Sequence, residues 1–205
     1  MKTEILRTDH PIALSHAQDV LNHGGLVAFP TDTVYGMAAS LDHPQAVEGL
    51  FIVKGPGSEN AVALLIGGVE WLPRLVSEVP AAAWQLVQRY WPGPLTLLLR
   101  GSSKVPLSLM PNGVVGVRMP DHPFALALLQ RTGPLAVTSA NLIGKGRART
   151  AGEVLKQLNG RVHLVLDGGT SLRGVYSTVV DCSSAEVTVA RKGPILEEEI
   201  FAALK

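Results

Sequence analysis

Four stretches of the sequence set small hydroxyl residues and single cations at the ends of apolar runs. Pro30-Thr31-Asp32-Thr33-Val34-Tyr35-Gly36 follows the run Gly25 to Phe29 and precedes a helical pattern, the kind of strand-end loop in which open α/β sheets bind ligands. Lys54-Gly55-Pro56-Gly57-Ser58-Glu59-Asn60 closes that helical pattern and carries a cation and an amide. Val115-Gly116-Val117-Arg118 and Thr138-Ser139-Ala140-Asn141 make the third, two strands that each end in polar groups. The fourth joins Asp167-Gly168-Gly169 to Ser177-Thr178-Val179-Val180-Asp181 and then to Arg191. Thr31, Asp32, Thr33, Ser139 and Asn141 also fit as turn and cap formers. Lys54 reads either as a solvated cation favoured by a helix C-terminus or as a ligand contact. Arg118 ends a run of apolar and small residues, and a buried guanidinium there needs an anionic partner. Arg191 stands in a similar setting. Asp32, Asp167 and Asp181 are candidates either to pair with these arginines or to orient a metal.

Other chemistries lack their signatures. No phosphate loop of the G-x-x-x-x-G-K-[ST] type and no G-x-G-x-x-G follows a strand. His10, His16, His23, His43, His122 and His163 never take the i, i+4 spacing around a Glu that a zinc hydrolase uses. The nucleophile turn G-x-S-x-G is absent. Cys182, the single cysteine, leaves no disulfide framework or Cys-cluster metal site and reads as a packing residue.

The elements that must position these residues alternate. Strand-length apolar runs occur at Gly25 to Phe29, 62 to 66, 94 to 99, 114 to 119, 134 to 138, 162 to 166, 177 to 181 and 186 to 191. Between them lie helical patterns at 43 to 54, 81 to 90, 124 to 130, 151 to 158 and 194 to 204, the last opened by Pro194 with Glu197, Glu198 and Glu199 in its first turns. The alternation implies an α/β or α+β fold around a largely buried sheet, in one domain spanning 1–205. Apolar residues make up 46% and charged residues 17%, which excludes intrinsic disorder. A net charge of +1 does not mark a nucleic-acid binder, although local basic patches are compatible with it. Without a membrane-spanning run, secretory signal or transit peptide, the expected compartment is the cytoplasm.

Taken together, the sequence resembles the YrdC-like family, the threonylcarbamoyl-AMP synthases of tRNA modification. The matching stretches are AFPTDTVYGM (28 to 37), AVEGLFIVKG (46 to 55), WPGPLTLLL (91 to 99), VGVRMPDHP (115 to 123), GPLAVTSANLIGK (133 to 145) and LDGGTSLRGVYSTVVD (166 to 181), followed by Arg191-Lys192-Gly193. They keep the family's order over nearly the whole chain, in its single-domain form. The resemblance implies a twisted mixed sheet with flanking helices around a large concave cationic cavity. It implies L-threonylcarbamoyladenylate synthesis from L-threonine, bicarbonate and ATP for position 37 of tRNA, with a downstream tRNA threonylcarbamoyl transferase complex as the consumer. By position, Thr33, Arg118, Thr138 and Ser177 would hold threonine, and Lys54, Asn60, Ser139, Ala140, Asn141, Ala148 and Arg191 would hold ATP. Lys54, Arg118, Ser139 and Asn141 would carry catalysis. Magnesium would come with the triphosphate, liganded mostly by substrate oxygens and water, so no protein metal ligand is assigned.

One stretch departs from the family's pattern. The family commonly reads Lys-Gly-Arg-Pro, whereas this chain reads Lys54-Gly55-Pro56-Gly57, and the segment that usually reaches a histidine near threonine reads Asn60-Ala61-Val62-Ala63-Leu64-Leu65. Losing a charge that meets phosphate costs about 1.5 to 3 kcal/mol if nothing replaces it. Arg147 or Arg149 in Gly144-Lys145-Gly146-Arg147-Ala148-Arg149 is placed to compensate, or the run is a solvated loop. Two other readings follow. One is an RNA-binding or ribosome-maturation module, with Lys145, Arg147, Arg149 and Arg173 contacting tRNA or double-stranded RNA. The other is a paralogue with an altered ligand.

Overall fold

The strands are β1 (Glu4–Arg7), β2 (Val27–Phe29), β3 (Gly36–Ser40), β4 (Ala63–Leu65), β5 (Leu95–Arg100), β6 (Val114–Arg118), β7 (Leu135–Ser139), β8 (Leu164–Asp167), β9 (Thr178–Asp181) and β10 (Thr188–Arg191). The computed structural model describes residues 2–58 and 61–205. All ten strands form one mixed sheet in the order β1-β8-β2-β3-β7-β4-β6-β5-β9-β10. Parallel pairs (β1 with β8, β2 with β8, β4 with β6, β5 with β9) are interspersed with antiparallel ones.

Strand alternation divides the core into two clusters. Val27 and Phe29 belong to one and Ala28 to the other, and the split recurs as Ala38 against Met37 and Ala39, Leu135 and Val137 against Ala136, and Leu164 and Leu166 against Val165. A strand apolar on both faces has to be covered on both. Helices α1 (Ala13–Asn22), α2 (Pro44–Lys54), α3 (Leu72–Leu75), α4 (Ala81–Tyr90), α5 (Pro123–Thr132), α6 (Ala151–Leu158) and α7 (Glu197–Ala202) supply the cover. Every helix except α1 and α5 contributes to the larger cluster, while α1 and α5 pack together over the smaller one.

The smaller cluster stops partway across its face. Beyond Leu65 and Val137, the same face continues as Ala63, Gly116, Arg118, Thr96, Leu98 and Val179, and these residues line a cavity. Two helices thus cover half of a wide sheet face, and the remaining half becomes the concave site.

Most expected elements form near their expected places, and the differences have causes. The pattern offers no β1, α1 or β3. In α1 the buried stripe is Ala13, Ala17 and Leu21, whose small alanines dilute the apolar signal. In β3, Gly-Met-Ala-Ala-Ser lacks the β-branched residues of a typical strand. Its start must be glycine: a Cβ at Gly36 would lie 2.8 Å from Val137 Cγ1. The last helix is shorter than 194 to 204. No helix among the described residues is long and apolar enough to cross a membrane.

Candidate functional site

The cavity holds about 320 Å³ and is bordered by the loops after β2 and β7, the C-terminus of α2 and the segment entering β9. This is within the range of small-molecule sites. Its lining includes four cations, Lys54, Arg118, Lys145 and Arg191, and among the described residues no carboxylate. No histidine lines it either, so the hydroxyls of Thr33, Thr96, Ser139 and Ser177 have no imidazole beside them to act as base.

Lys54 is the last residue of α2, where Gly55 stops the helix with φ +98°. A cation there is favoured by the helix dipole. Its Nζ donates to Ser139 O (2.8 Å), Ser139 Oγ (2.7 Å), Asn141 O (2.8 Å) and Asn141 Oδ1 (3.2 Å). The loop after β7 is also tied to the helix end through Ile143 N–H to Lys54 O, 3.2 Å. All four acceptors of Lys54 are neutral, and burial pulls its pKa down to about 8. Lys54 is therefore a buried cation bonded within the protein, 5% exposed, and not a solvated helix end.

Asn141 positions this cation. Its Oδ1 accepts from Lys54 and from Tyr176 Oη (3.4 Å), and its Nδ2 donates to Leu142 O (2.9 Å) and Lys145 O (3.3 Å). An amide that meets partners at both ends shapes the loop and fixes Lys54 within it.

Arg118, at the end of β6, has its anionic partner inside the protein. Nη2 donates to Asp32 Oδ1 (2.5 Å), Nη1 to Thr33 Oγ1 (2.9 Å) and Nε to Gly93 O (3.0 Å). Of five guanidinium N–H groups, three are engaged, leaving one on each terminal nitrogen. Asp32 is buried between Arg118 and Arg173, whose Nε lies 3.8 Å from Oδ2. Burial pulls the Arg118 pKa down, and Asp32 opposes that shift.

The hydroxyl orientations beside Arg118 follow from their partners. Thr31 Oγ1 donates to Val34 O (2.6 Å), so in its 3.0 Å contact with Thr33 Oγ1 it must accept. Thr33 thus donates to Thr31 and accepts from Arg118, which leaves it one lone pair and no proton for a ligand.

Opposite, Ser177 Oγ meets Thr96 Oγ1 (2.8 Å) and accepts from Arg191 Nη2 (3.1 Å), while Arg191 Nε donates to Ser177 O (3.2 Å). Arg191 ends β10 where its register against β9 shifts. It makes no ion pair among the described residues. Its pKa is lowered by burial and, after the opposing effect of Tyr176, by Arg147. Thr138 lines the cavity, and its Oγ1 is buried without a hydrogen-bond partner among the described residues.

Of the sequence-derived candidates, the structure thus gathers Thr33, Lys54, Arg118, Thr138, Ser139, Asn141, Ser177 and Arg191 around one cavity. Ala140 and Ala148 are buried outside its lining, where Ala140 N–H donates to Tyr35 O and Ala148 O accepts from Tyr35 N–H. Asn60 lies outside the described residues. Arg147 reaches the ring of Tyr176, whereas Arg149 runs against Gly174. Cys182 is buried and its thiol pKa rises to about 11, as a packing residue's would. Sequence reasoning missed Thr96 and Tyr176, and took Lys145 only as a phosphate contact for RNA. Thr96 carried a signal, being the one hydroxyl in the apolar run Leu95 to Leu99. Tyr176 lay within the matching stretch 166 to 181 but offered no chemistry apart from its neighbours.

The arrangement is chemically suited to anions. It combines fixed cations with oriented hydroxyls and has no acid–base pair or activated nucleophile among the described residues. Comparison with known proteins agrees in fold and family. The sequence model of Sua5_yciO_yrdC, described as telomere recombination, matches residues 19–193. Threonylcarbamoyl-AMP synthase of Bacillus subtilis is 38% identical over 208 residues, covering 98% of this chain and 59% of the relative. A putative threonylcarbamoyl-AMP synthase of Mycobacterium tuberculosis is 37% identical, covering 90% of this chain and 85% of the relative. The crystal structure of Pyrococcus abyssi Sua5 complexed with L-threonine superposes with TM-score 0.91 at 36% identity, covering 99% of this chain and 60% of that one. E. coli YciO superposes with TM-score 0.84 at 25% identity, covering 94% and 96%. The chain therefore spans less than two thirds of the Bacillus and Pyrococcus proteins.

Proposed function

The chain belongs to the Sua5/YciO/YrdC family, and on that premise we propose that it joins L-threonine, bicarbonate and ATP into threonylcarbamoyl-AMP and pyrophosphate. The observation that carries this reading is a cavity lined by four cations and, among the described residues, no carboxylate. Each reactant is an anion or bears an anionic group, and bringing them together needs an excess of fixed positive charge.

In this reading the threonine ammonium gives up a proton, and the free amine attacks the bicarbonate carbon with loss of water. An oxygen of the resulting carbamate then attacks the α-phosphorus, and the bond to the β-phosphate bridging oxygen breaks. Lys54, aimed by Ser139 and Asn141, neutralises the carbamate and α-phosphate as they approach. Arg118 offers its two uncommitted N–H groups to the threonine carboxylate. Thr33 accepts from the threonine ammonium, and Thr138 and Ser177 complete that pocket. Ser139 and Arg191 contact the nucleotide. ATP enters as its magnesium complex; the cavity's neutral oxygens and cations leave the metal to substrate oxygens and water. The product, a mixed anhydride, would pass to a transferase acting on tRNA.

An RNA-binding module has less support. Of its four proposed phosphate contacts, Arg147 lies on Tyr176 and Arg173 faces Asp32.

The test is pyrophosphate release from ATP and magnesium with threonine and bicarbonate omitted in turn, and serine as side-chain control. Release that requires both co-substrates supports the synthase. Release indifferent to them, or none, refutes it.

A further inference from the structure

Two guanidinium groups lie over the ring of Tyr176, Arg147 at 4.6 Å and Arg191 at 5.3 Å from its centroid. They are therefore within about one Debye length of each other at 0.1 M salt, and their charges repel. Among the described residues no ion pair relieves either one. The ring's negative faces hold each cation weakly, which fixes position without neutralising charge.

The loop that delivers Arg147 is pinned on both sides of it. Asn141 Nδ2 donates to Lys145 O (3.3 Å) and Gln157 Nε2 to Gly146 O (2.9 Å). Beyond it, Tyr35 N–H donates to Ala148 O (2.9 Å) and Arg149 N–H to Glu153 Oε2 (2.6 Å). A loop held at its four flanking residues presents the Arg147 side chain from a defined backbone, in contrast to a free basic tail.

We propose that Arg147 is a polyphosphate-binding residue, which with Arg191 and the Tyr176 platform clamps the outer phosphates of the nucleotide at the cavity rim. Two planar donor forks set apart on one ring suit a multiply charged oxyanion that bridges them, more than they suit a single carboxylate. Depth fixes the order along the ligand. Lys54 is buried and Arg147 is exposed, so the reacting phosphate lies inward and the departing pyrophosphate lies beside the mouth. This assignment rests on the nucleotide reading above.

The experiment is calorimetric binding of ATP, AMP and inorganic tripolyphosphate to the intact protein and to Arg147→Gln. The exposed position of Arg147 leaves the fold intact in that variant. The expected result is an affinity for ATP and tripolyphosphate lowered about tenfold or more, the loss of one charged hydrogen bond, with AMP changed less than twofold. Tyr176→Leu, which keeps both arginines but removes their platform, should weaken tripolyphosphate in the same direction. ATP affinity unchanged in Arg147→Gln, AMP falling as much as ATP, or no binding of either polyphosphate by the intact protein would overturn the proposal. Tripolyphosphate binding that depends on Arg147, in a protein whose pyrophosphate release ignores threonine, would uphold the clamp while refuting the synthase.

Discussion

Binding ATP beside Lys54 should draw a proton from solution at pH 9 onto the lysine, which at pH 6.5 is already charged and takes up none. Burial lowers this lysine from its ordinary value of 10.5 to about 8, and none of its four hydrogen-bond acceptors is a carboxylate. A phosphate brought near Lys54, whose three N–H groups are already engaged, favours the ammonium form through its charge and moves the pKa back up. At pH 9 the ligand-free lysine is charged in only roughly a tenth of molecules, so binding takes up roughly 0.9 proton. Apparent ATP affinity is then flat below pH 8 and falls toward about tenfold per pH unit from pH 8 to about 10. The stability of the ligand-free fold moves the opposite way. Its folded pKa lies below the unfolded one, so the unfolded chain binds more protons between those values, and stability rises with pH across about 8 to 10.5. Calorimetry at pH 6.5 and 9, each in two buffers of different ionisation enthalpy, measures the uptake directly. ATP alone is the right ligand: its phosphates have lost their last proton below this window, whereas the amine of threonine titrates within it. Uptake below roughly 0.3 proton at pH 9, or the same uptake in Lys54→Met, would refute the argument.

Asp32→Asn leaves Arg118 buried without its carboxylate and should cost about 3 kcal/mol in urea unfolding; a loss under about 1 kcal/mol would mean that the pair is not what supports Arg118. Adding Arg118→Met to that variant should recover part of the loss, since the stranded charge is then gone. Gly193→Ala would set a Cβ 2.3 Å from Thr178 N and 2.6 Å from Ser177 C, which no side-chain rotation can relieve. It should destabilise by about 2 kcal/mol or more and displace Ser177, seen as a lower melting temperature together with weaker threonine binding. Thr150 accepts from Glu153 N–H (3.2 Å) at the start of α6. Thr150→Ala should cost about 1 kcal/mol of stability and leave ATP affinity within twofold.

The site was more legible than the sheet that carries it. Its residues stand where apolar runs end, and that boundary shows in a single sequence, as Arg118 after Val117 and Thr138 after Val137 illustrate. What the sequence could not show is pairing. Asp32 sits in the same motif as Thr33, yet its role as the partner of Arg118 depends on an 86-residue closure between β2 and β6. Ala140 and Ala148 belong to the right loops, but nothing in the sequence shows that the N–H of one and the carbonyl of the other are both taken by Tyr35. The elements missed, β1, α1 and β3, are those whose burial comes from alanine, glycine and edge pairing, where side-chain hydrophobicity carries little signal.

The cavity's charge pattern also explains why its lining is built of neutral acceptors. A carboxylate beside Lys54 or Arg191 would stabilise the ligand-free protein and would then have to be displaced or tolerated when a substrate anion arrives. Carbonyls and hydroxyls hold the cations in place while leaving their charge available to the ligand. Lys54 shows the consequence in its depressed pKa, and Arg147 and Arg191 show it in their shared ring without an acid among the described residues. Asp32 is the exception, and it lies behind Arg118, shared with Arg173, where it fixes a guanidinium without entering the cavity lining. An anion that binds here therefore relieves repulsion already present in the fold, so the ligand-free protein should gain thermal stability from tripolyphosphate alone. Arg147→Gln should lower that gain, and Lys104→Gln, which changes a cation outside the cavity lining, should leave it intact.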